Sequence, residues 1–175
     1  MPEPRLLQHG IHSCRLPDSP QYLAEVVAAF RRVADSPDTI RTHYFNGRYE
    51  NIYPRRESLP EIEPLLTVIL GCARQVLATP EPLQLSFWFN QMLPGHSTTL
   101  HTHDDGYELL SGVYYLEVPE NSGDILMHAG DEALRITAQA GLLLLFPPEL
   151  PHEVEENRSA RSRLSMAFNI GPRTR

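Results

Sequence analysis

The unit that predicts the fold is residues 111–128, with the sequence Ser-Gly-Val-Tyr-Tyr-Leu-Glu-Val-Pro-Glu-Asn-Ser-Gly-Asp-Ile-Leu-Met-His. An apolar and aromatic run occupies 111–118, the turn formers Pro119 to Gly123 follow, and a second mainly apolar run covers 124–128. β-Branched and aromatic residues favour strands, whereas Pro, Asn, Ser and Gly favour turns. The segment therefore predicts two short strands joined by a turn.

The same pattern recurs along the second half of the chain. Eight short strands are predicted, at Leu83–Met92, Thr98–His103, Ser111–Val118, Asp124–His128, Ala133–Thr137, Leu142–Phe146, His152–Glu156 and Arg163–Ile170. The breaks between many of them carry Pro, Gly, Asn or Asp, which interrupt strands. About eight short strands at this spacing are typical of a double-stranded β-helix, the jelly roll that cupin-like barrels also adopt.

The first 82 residues are predicted to be mainly helical. Pro20 stands at the first position of a helix with apolar residues at helical spacing. The segment Ser58–Glu61 resembles a capping box and is expected to open a second helix, which ends before Thr79. The aromatic and basic segment Thr42–Tyr53 is assigned to a short strand or loop. Within it, Tyr44–Tyr53 is either a lid over the barrel or a set of aromatic residues that pack the helices on the sheet.

Length and composition predict one domain. The 175 residues can bury a single core, so we expect a mainly β chain with N-terminal helices (α+β), in which 1–82 pack on a barrel core of 83–170. The net charge of −7, without a basic run, argues against nucleic acid or an anionic membrane as partner. Cys14 and Cys72 are too few for a disulfide framework, and we expect a cytoplasmic protein. The oligomeric state is left open, with a homodimer as one option.

Metal-binding side chains are concentrated after the second predicted strand. His101, His103 and Asp105 alternate, and alternate residues of a strand point to the same face. His152 follows a buried apolar run and a proline-rich turn, which should return it to the same edge. Two histidines and one carboxylate are the ligand set of non-haem Fe(II) sites. We predict a catalytic metal site made of His103, Asp105 and His152, with His101 beside it.

Arg163 and Ser165 predict a binding site for a carboxylate. They share one face of the last predicted strand, and their neighbours are apolar. A buried arginine needs an acidic partner, and its planar fork binds a carboxylate through two hydrogen bonds. The Ser165 hydroxyl would add another hydrogen bond to the same ligand.

The order of these motifs resembles that of the 2-oxoglutarate/Fe(II)-dependent oxygenases of the prolyl-hydroxylase-like group. The resemblance runs from about residue 83 to residue 170. The motifs are Trp88-Phe89-Asn90, Pro94-Gly95, the histidine-rich strand, Leu110–Leu116, Pro119, Ser122-Gly123-Asp124, Leu145-Phe146-Pro147, Leu150–Val154 and Arg163–Asn169. The distal histidine and the Arg-x-Ser pair stand eleven residues apart, which is the most specific feature of the set.

The resemblance implies a double-stranded β-helix that binds Fe(II) and uses 2-oxoglutarate and O₂. It implies that Arg163 and Ser165 hold the far carboxylate of 2-oxoglutarate. Asn90 and either Tyr114 or Tyr115 are further candidates for contact with this co-substrate. The substrate is expected to be a small molecule, an amino acid or a peptide.

One departure from the family pattern concerns the third metal ligand. The usual His-x-Asp motif matches His103 and Asp105, but counting from Gly95 it also fits His101 and His103. The second register would place a histidine where the acid belongs. We prefer the first because a carboxylate offsets the charge of Fe(II), and it leaves His101 as a neighbour that supports the site.

Two other functions are compatible with a jelly roll. A cupin would bind metal through His101, His103, Glu108 and His152 and would not use 2-oxoglutarate. It could be a dioxygenase, an isomerase or a small-molecule-binding protein, and it would not need Arg163 and Ser165. An interaction module without metal would leave the cluster of inward polar residues unexplained.

Overall fold

The computed structural model describes residues 2–17, 20–45, 47–103 and 106–173. In this part of the chain there are two α-helices, α1 (Pro20–Val33) and α2 (Glu63–Leu77), and two short 3₁₀ helices, Arg56–Ser58 and Pro60–Ile62. The strands are β1 (Arg5–Leu6), β2 (His12–Arg15), β3 (Ile40–Phe45), β4 (Arg48–Tyr53), β5 (Leu83–Met92), β6 (Thr98–His101), β7 (Leu110–Glu117), β8 (Ile125–Ala129), β9 (Glu132–Ile136), β10 (Leu142–Phe146), β11 (His152–Val154) and β12 (Arg163–Pro172).

The strands form two antiparallel sheets that face each other. The larger sheet has the order β1-β2-β10-β7-β12-β5-β4-β3, and the smaller has the order β6-β11-β8-β9. One hydrophobic cluster joins them, because Val113 and Leu144 of the larger sheet pack in it with Ile125 and Met127 of the smaller. The predicted double-stranded β-helix is confirmed.

Both helices cover the outer face of the larger sheet. Phe30 of α1 packs on Phe89 of β5, with ring centroids 4.6 Å apart. Strand β7 is buried on both faces: Tyr114 packs in the cluster with the helices, and Tyr115 packs in the cluster between the sheets. Because successive side chains of a strand point to opposite faces, this explains why the run 110–116 is mainly apolar.

The predicted element bounds hold best where apolar runs meet turn residues. Strands β5 and β10 have the predicted bounds. The capping box at Ser58–Glu61 is wrong, because the chain there forms 3₁₀ turns and neither Leu59 nor Ile62 caps a helix with its side chain. Residues 1–82 also contribute four strands to the larger sheet, and Thr42–Tyr53 falls in the β3–β4 hairpin.

Both cysteines are buried and free. Burial, together with the neighbouring Cys14, raises the pKa of the Cys72 thiol to about 12. None of the helices in the described part of the chain combines the length and the apolar character needed to cross a membrane.

Candidate active site

His101, His103 and His152 form a histidine cluster at one edge of the barrel. His101 ends β6 and lies directly opposite His152, the first residue of β11. One nitrogen from each ring lies within 4.8 Å of the others. The ring centroid of His152 is 4.3 Å from that of His101 and 5.0 Å from that of His103. Three imidazole nitrogens at this spacing can bind one metal ion.

Strand β6 ends before it reaches His103. The backbone N–H of His103 instead donates to the carbonyl of Pro148, at 2.9 Å, in the turn that precedes His152. This bond brings the two histidines to the same place. The ring of His103 also packs against Trp88, with centroids 5.3 Å apart.

Backbone carbonyls fix the orientation of two of the imidazoles. His101 Nδ1 lies 2.7 Å from the carbonyl oxygen of Thr99, and His152 Nδ1 lies 3.0 Å from that of Leu150. A carbonyl only accepts, so each Nδ1 carries the proton and each Nε2 has a free lone pair. Hydrogen bonds of this kind typically orient histidines that bind metals.

Burial keeps His103 and His152 of the cluster uncharged. It lowers the pKa of His152 to about 3, with a further contribution from the neighbouring imidazoles. Burial likewise lowers the pKa of His103 to about 4, and the imidazole of His101 adds to the effect. Neutral imidazole is the form that binds a metal, so these two histidines are in the required state near neutral pH.

The predicted ligand Asp105 lies outside the described residues, together with Asp104. The choice between His101 and Asp105 as third ligand therefore stays a prediction. Glu108, the acid of the cupin ligand set, lines the same cavity but does not belong to the histidine cluster.

The histidine cluster opens into a cavity of about 450 Å³. The predicted co-substrate residues line it too, and we call them the arginine group: Asn90, Tyr115, Arg163 and Ser165. Ser165 of β12 lies opposite Asn90 of β5 on one side and Tyr115 of β7 on the other. Tyr114 packs against the helices instead, so Tyr115 is the tyrosine at the cavity.

Arg163 is buried, with 1% of its surface exposed. Its Nη1 donates to the carbonyl of Ser122 at 3.2 Å and to that of Gly123, and its guanidinium lies 5.0 Å from the ring centroid of Tyr115. Neither Arg163 Nε nor the Tyr115 hydroxyl has a hydrogen bond of good geometry within the described residues. Buried polar groups normally have a partner, so a carboxylate ligand would fit here.

Gly123 lets the turn after β7 pack closely against the backbone of Glu155. Its φ is +87°, and a Cβ at this position would lie 2.3 Å from the carbonyl oxygen of Glu155. Only glycine combines this backbone conformation with so close a contact. The turn after β7 thus presents its carbonyls to the guanidinium.

Asn90 is bound to the β3–β4 hairpin. Its Nδ2 donates to the backbone carbonyl of Glu50 at 2.8 Å and to Oδ1 of Asn51 at 3.0 Å. Only its Oδ1 remains for a ligand. The contact of Asn90 with the co-substrate stays a prediction, but the amide protons of Asn90 are already hydrogen-bonded to the hairpin.

The hairpin supplies cavity residues that sequence reasoning missed. His43, Glu50, Asn51 and Tyr53 all line the cavity. Glu50 and Ile52 are the buried residues of β4, so an acid stands at an inward position of this strand. The alternate spacing of Glu50 and Ile52 was the sequence signal that could have identified Glu50. It was missed because the segment is rich in aromatic residues.

Residues 87–171 match the 2OG-Fe(II) oxygenase superfamily. The match covers the barrel, 85 of the 175 residues, so the barrel is similar to that superfamily. The protein is a 2-oxoglutarate-dependent dioxygenase that uses Fe(II), 2-oxoglutarate and O₂. The residues fit these groups, since two of the clustered histidines are held neutral and a buried guanidinium has an open donor. The family match selects the oxygenase prediction over the cupin alternative.

Solved structures share the fold at low sequence identity. A Pseudomonas putida prolyl-4-hydroxylase is 22% identical, with 95% of this chain and 90% of that chain covered and a TM-score of 0.66. The carbocyclase SnoK from nogalamycin biosynthesis is 16% identical, with 94% and 80% covered and a TM-score of 0.76. A Burkholderia pseudomallei 2OG-Fe(II) oxygenase is 20% identical, with 93% and 84% covered and a TM-score of 0.66. No curated protein matches the sequence.

Proposed function

We propose that this protein is a hydroxylase that acts on a small molecule, an amino acid or a peptide. The observation that carries the proposal is that one cavity is lined by both the histidine cluster and the arginine group. A metal bound by the first and a dicarboxylate bound by the second would share this space. The prolyl hydroxylases among the similar structures support hydroxylation as the outcome, whereas the nogalamycin enzymes are named a carbocyclase and an epimerase.

The proposed metal ligands are His103, Asp105 and His152. The His-x-Asp pattern supports this set, as does the charge of a carboxylate beside a divalent ion. The alternative set replaces Asp105 by His101, whose fixed tautomer and position in the cluster support it. Both residues cannot be ligands if co-substrate and O₂ are to bind, because a facial triad leaves three of six positions open.

The arginine group would hold 2-oxoglutarate by its far carboxylate. Arg163 Nε, the Tyr115 hydroxyl and the Ser165 hydroxyl are the donors that line the cavity for this purpose. When bound, Fe(II) and 2-oxoglutarate supply the oxidising chemistry that turns O₂ and a substrate C–H bond into an alcohol, with succinate and CO₂ as co-products. The chain itself would orient the metal ion and 2-oxoglutarate, and the buried side chains of Trp88 and Phe146 would exclude water from the cavity.

The deciding experiment is a titration of 2-oxoglutarate into the Fe(II)-loaded protein under nitrogen. Chelation by the keto acid gives a charge-transfer absorbance band, and we expect it in the wild type. Addition of O₂ should then release succinate. A protein that binds Fe(II) but gives no band at saturating 2-oxoglutarate would rule out the proposed function.

A further inference from the structure

The β3–β4 hairpin forms a polar wall of the cavity that neither metal binding nor co-substrate binding explains. His43, Glu50 and Asn51 of this hairpin line the cavity together with the histidine cluster. The Tyr44 and Tyr49 rings pack against each other, with centroids 5.1 Å apart, and remain exposed. The hairpin thus has an aromatic side and a polar side.

His43 has an unusual backbone conformation for a strand residue. Thr42 pairs with Asn51 and Tyr44 pairs with Tyr49, so His43 lies opposite Glu50 in a register without a shift. His43 has a φ of +58°, in the left-handed region that residues with a side chain rarely adopt. Such strain persists where the surroundings impose it, and it is concentrated at ligand sites.

A chain of hydrogen bonds fixes the tautomer of His43. The donors of Asn90 go to the Glu50 carbonyl and to Asn51 Oδ1, so Asn51 Nδ2 is free to donate to His43 Nδ1, at 3.0 Å. The Thr42 hydroxyl lies 2.8 Å from the same nitrogen. His43 Nδ1 therefore accepts, and the proton of the neutral ring is on Nε2. The hairpin presents an N–H donor at the cavity wall.

Glu50 offers hydrogen-bond acceptors where His43 offers a donor, because its carboxylate has unused acceptor positions. It is 8% exposed, and its one hydrogen bond from a side chain in the described residues comes from Arg48 Nη2, at 3.4 Å. Burial raises the pKa of Glu50, while the nearby Arg48, His101 and His43 oppose the shift. A carboxylate can accept several hydrogen bonds, so a cationic donor in the cavity would stabilise it.

We propose that Glu50 binds a protonated amino group of the substrate and that His43 Nε2–H donates to an oxygen of the same molecule. This inference rests on the proposed function, since it assigns the substrate class of the same cavity. The cavity of about 450 Å³ must also hold the co-substrate, which favours a small molecule with an amine and an acceptor oxygen, such as a free amino acid.

The first test uses the free L-amino acids and their N-acetyl derivatives as matched probes. Succinate release by the Fe(II)- and 2-oxoglutarate-loaded protein is measured above the rate without probe, and binding is measured by calorimetry. We expect at least one free amino acid to bind and stimulate, and its N-acetyl derivative to do neither. Equal stimulation by both forms, or no binding by any free amino acid, would overturn the proposal.

Glu50→Gln tests the carboxylate directly. Removing the charge should raise KM for the stimulating amino acid by about tenfold or more, the expected loss for a charge-assisted hydrogen bond. The charge-transfer titration with 2-oxoglutarate should stay unchanged. Glu153→Gln is the matched control, because Glu153 pairs with His128 and does not line the cavity. An unchanged KM in Glu50→Gln would refute the role of Glu50.

His43 is tested by its tautomer and by a conservative variant. Nitrogen NMR of labelled histidine should show the proton on Nε2 in the wild type, and Asn51→Leu should remove this preference. His43→Ala should raise KM, and His43→Gln should restore much of the loss because its amide keeps a donor. A proton on Nδ1, or equal KM values in all three proteins, would contradict the proposal.

These measurements separate this inference from the proposed function. If the charge-transfer band is missing and calorimetry still shows selective binding of a free amine, the oxygenase assignment fails and the substrate pocket stands. If the band forms and no amine binds, the oxygenase assignment stands and the substrate class is wrong.

Discussion

The histidine cluster and the arginine group lie in one cavity but are stabilised in different ways. The cluster stands at strand ends of the smaller sheet, and burial keeps the rings of His103 and His152 uncharged near neutral pH. The arginine group lies on β5, β12 and β7, adjacent strands inside the larger sheet, and Arg163 keeps its charge. Imidazole can become neutral when it is buried, whereas guanidinium cannot and must find acceptors. The two sites should therefore respond independently to substitution.

The largest effect is expected from removing a shared metal ligand. We expect the wild type to bind about one Fe(II) per chain under nitrogen, and His103→Ala and His152→Ala each to lose this binding, because both belong to either ligand set. Metal analysis after anaerobic dialysis checks it. His128→Ala, which removes an imidazole outside the cluster, should behave like the wild type. Retained Fe(II) in both cluster variants would place the metal elsewhere.

The third ligand is decided by comparing His101→Ala with Asp105→Ala. Loss of the true ligand should abolish tight binding, while loss of a supporting neighbour typically weakens affinity about 10–100-fold. We expect Asp105→Ala to have the larger effect, because it also removes the charge that balances Fe(II). Competition with a chelator gives both affinities. The reverse order would establish the three-histidine set.

Arg163→Leu should act only on the other site. The 2-oxoglutarate affinity should fall by about tenfold or more, since a charge-assisted hydrogen bond contributes roughly 1.5–3 kcal/mol. Fe(II) binding should not change. Arg163→Lys should recover part of the loss, because it keeps the charge without the planar fork. The midpoint of the charge-transfer titration measures each variant, with the exposed Arg161→Leu as control. An unchanged midpoint would mean that another residue holds the carboxylate.

The last prediction concerns the pH dependence of the stability of the metal-free protein. His103 and His152 have folded pKa values of about 4 and about 3, below the ordinary value of 6.5. Below 6.5 the unfolded chain therefore binds protons that the folded chain does not, and the free energy of unfolding should fall as the pH drops from 6.5 towards 4. Urea unfolding across this range measures the slope. A double variant, His103→Gln with His152→Gln, should have a shallower slope, and equal slopes would contradict the neutral-cluster interpretation.

Much of the barrel could be predicted from the sequence because its strands carry strong local signals. Leu142–Phe146 is an apolar run between Gly141 and Pro147, and both bounds are correct. The capping box failed because Pro60 begins a 3₁₀ turn, which shifts the start of α2 to Glu63. The local sequence does not determine whether the chain adopts the hydrogen bonds of a 3₁₀ helix or those of an α-helix.

The site was predicted less completely, because its residues meet through long-range contacts. The alternation rule placed His101 and His103 on one strand, but the strand ends at His101, and it is the Pro148 carbonyl that holds His103 near the cluster. The roles of His43 and Glu50 depend on the left-handed backbone conformation of His43 and on contacts across a hairpin, which no pattern in the sequence specifies.

The tryptophan fluorescence of the protein reports on this cavity alone, because it comes from Trp88, which lines the cavity. It is the single tryptophan of the sequence, and its ring centroid lies 5.3 Å from that of His103 and 5.8 Å from that of Tyr53 in the hairpin. Tryptophan emission is quenched by a nearby paramagnetic ion and shifts when water is displaced. The fluorescence of the unlabelled chain will therefore follow both the arrival of metal near His103 and a rearrangement of the hairpin near Tyr53.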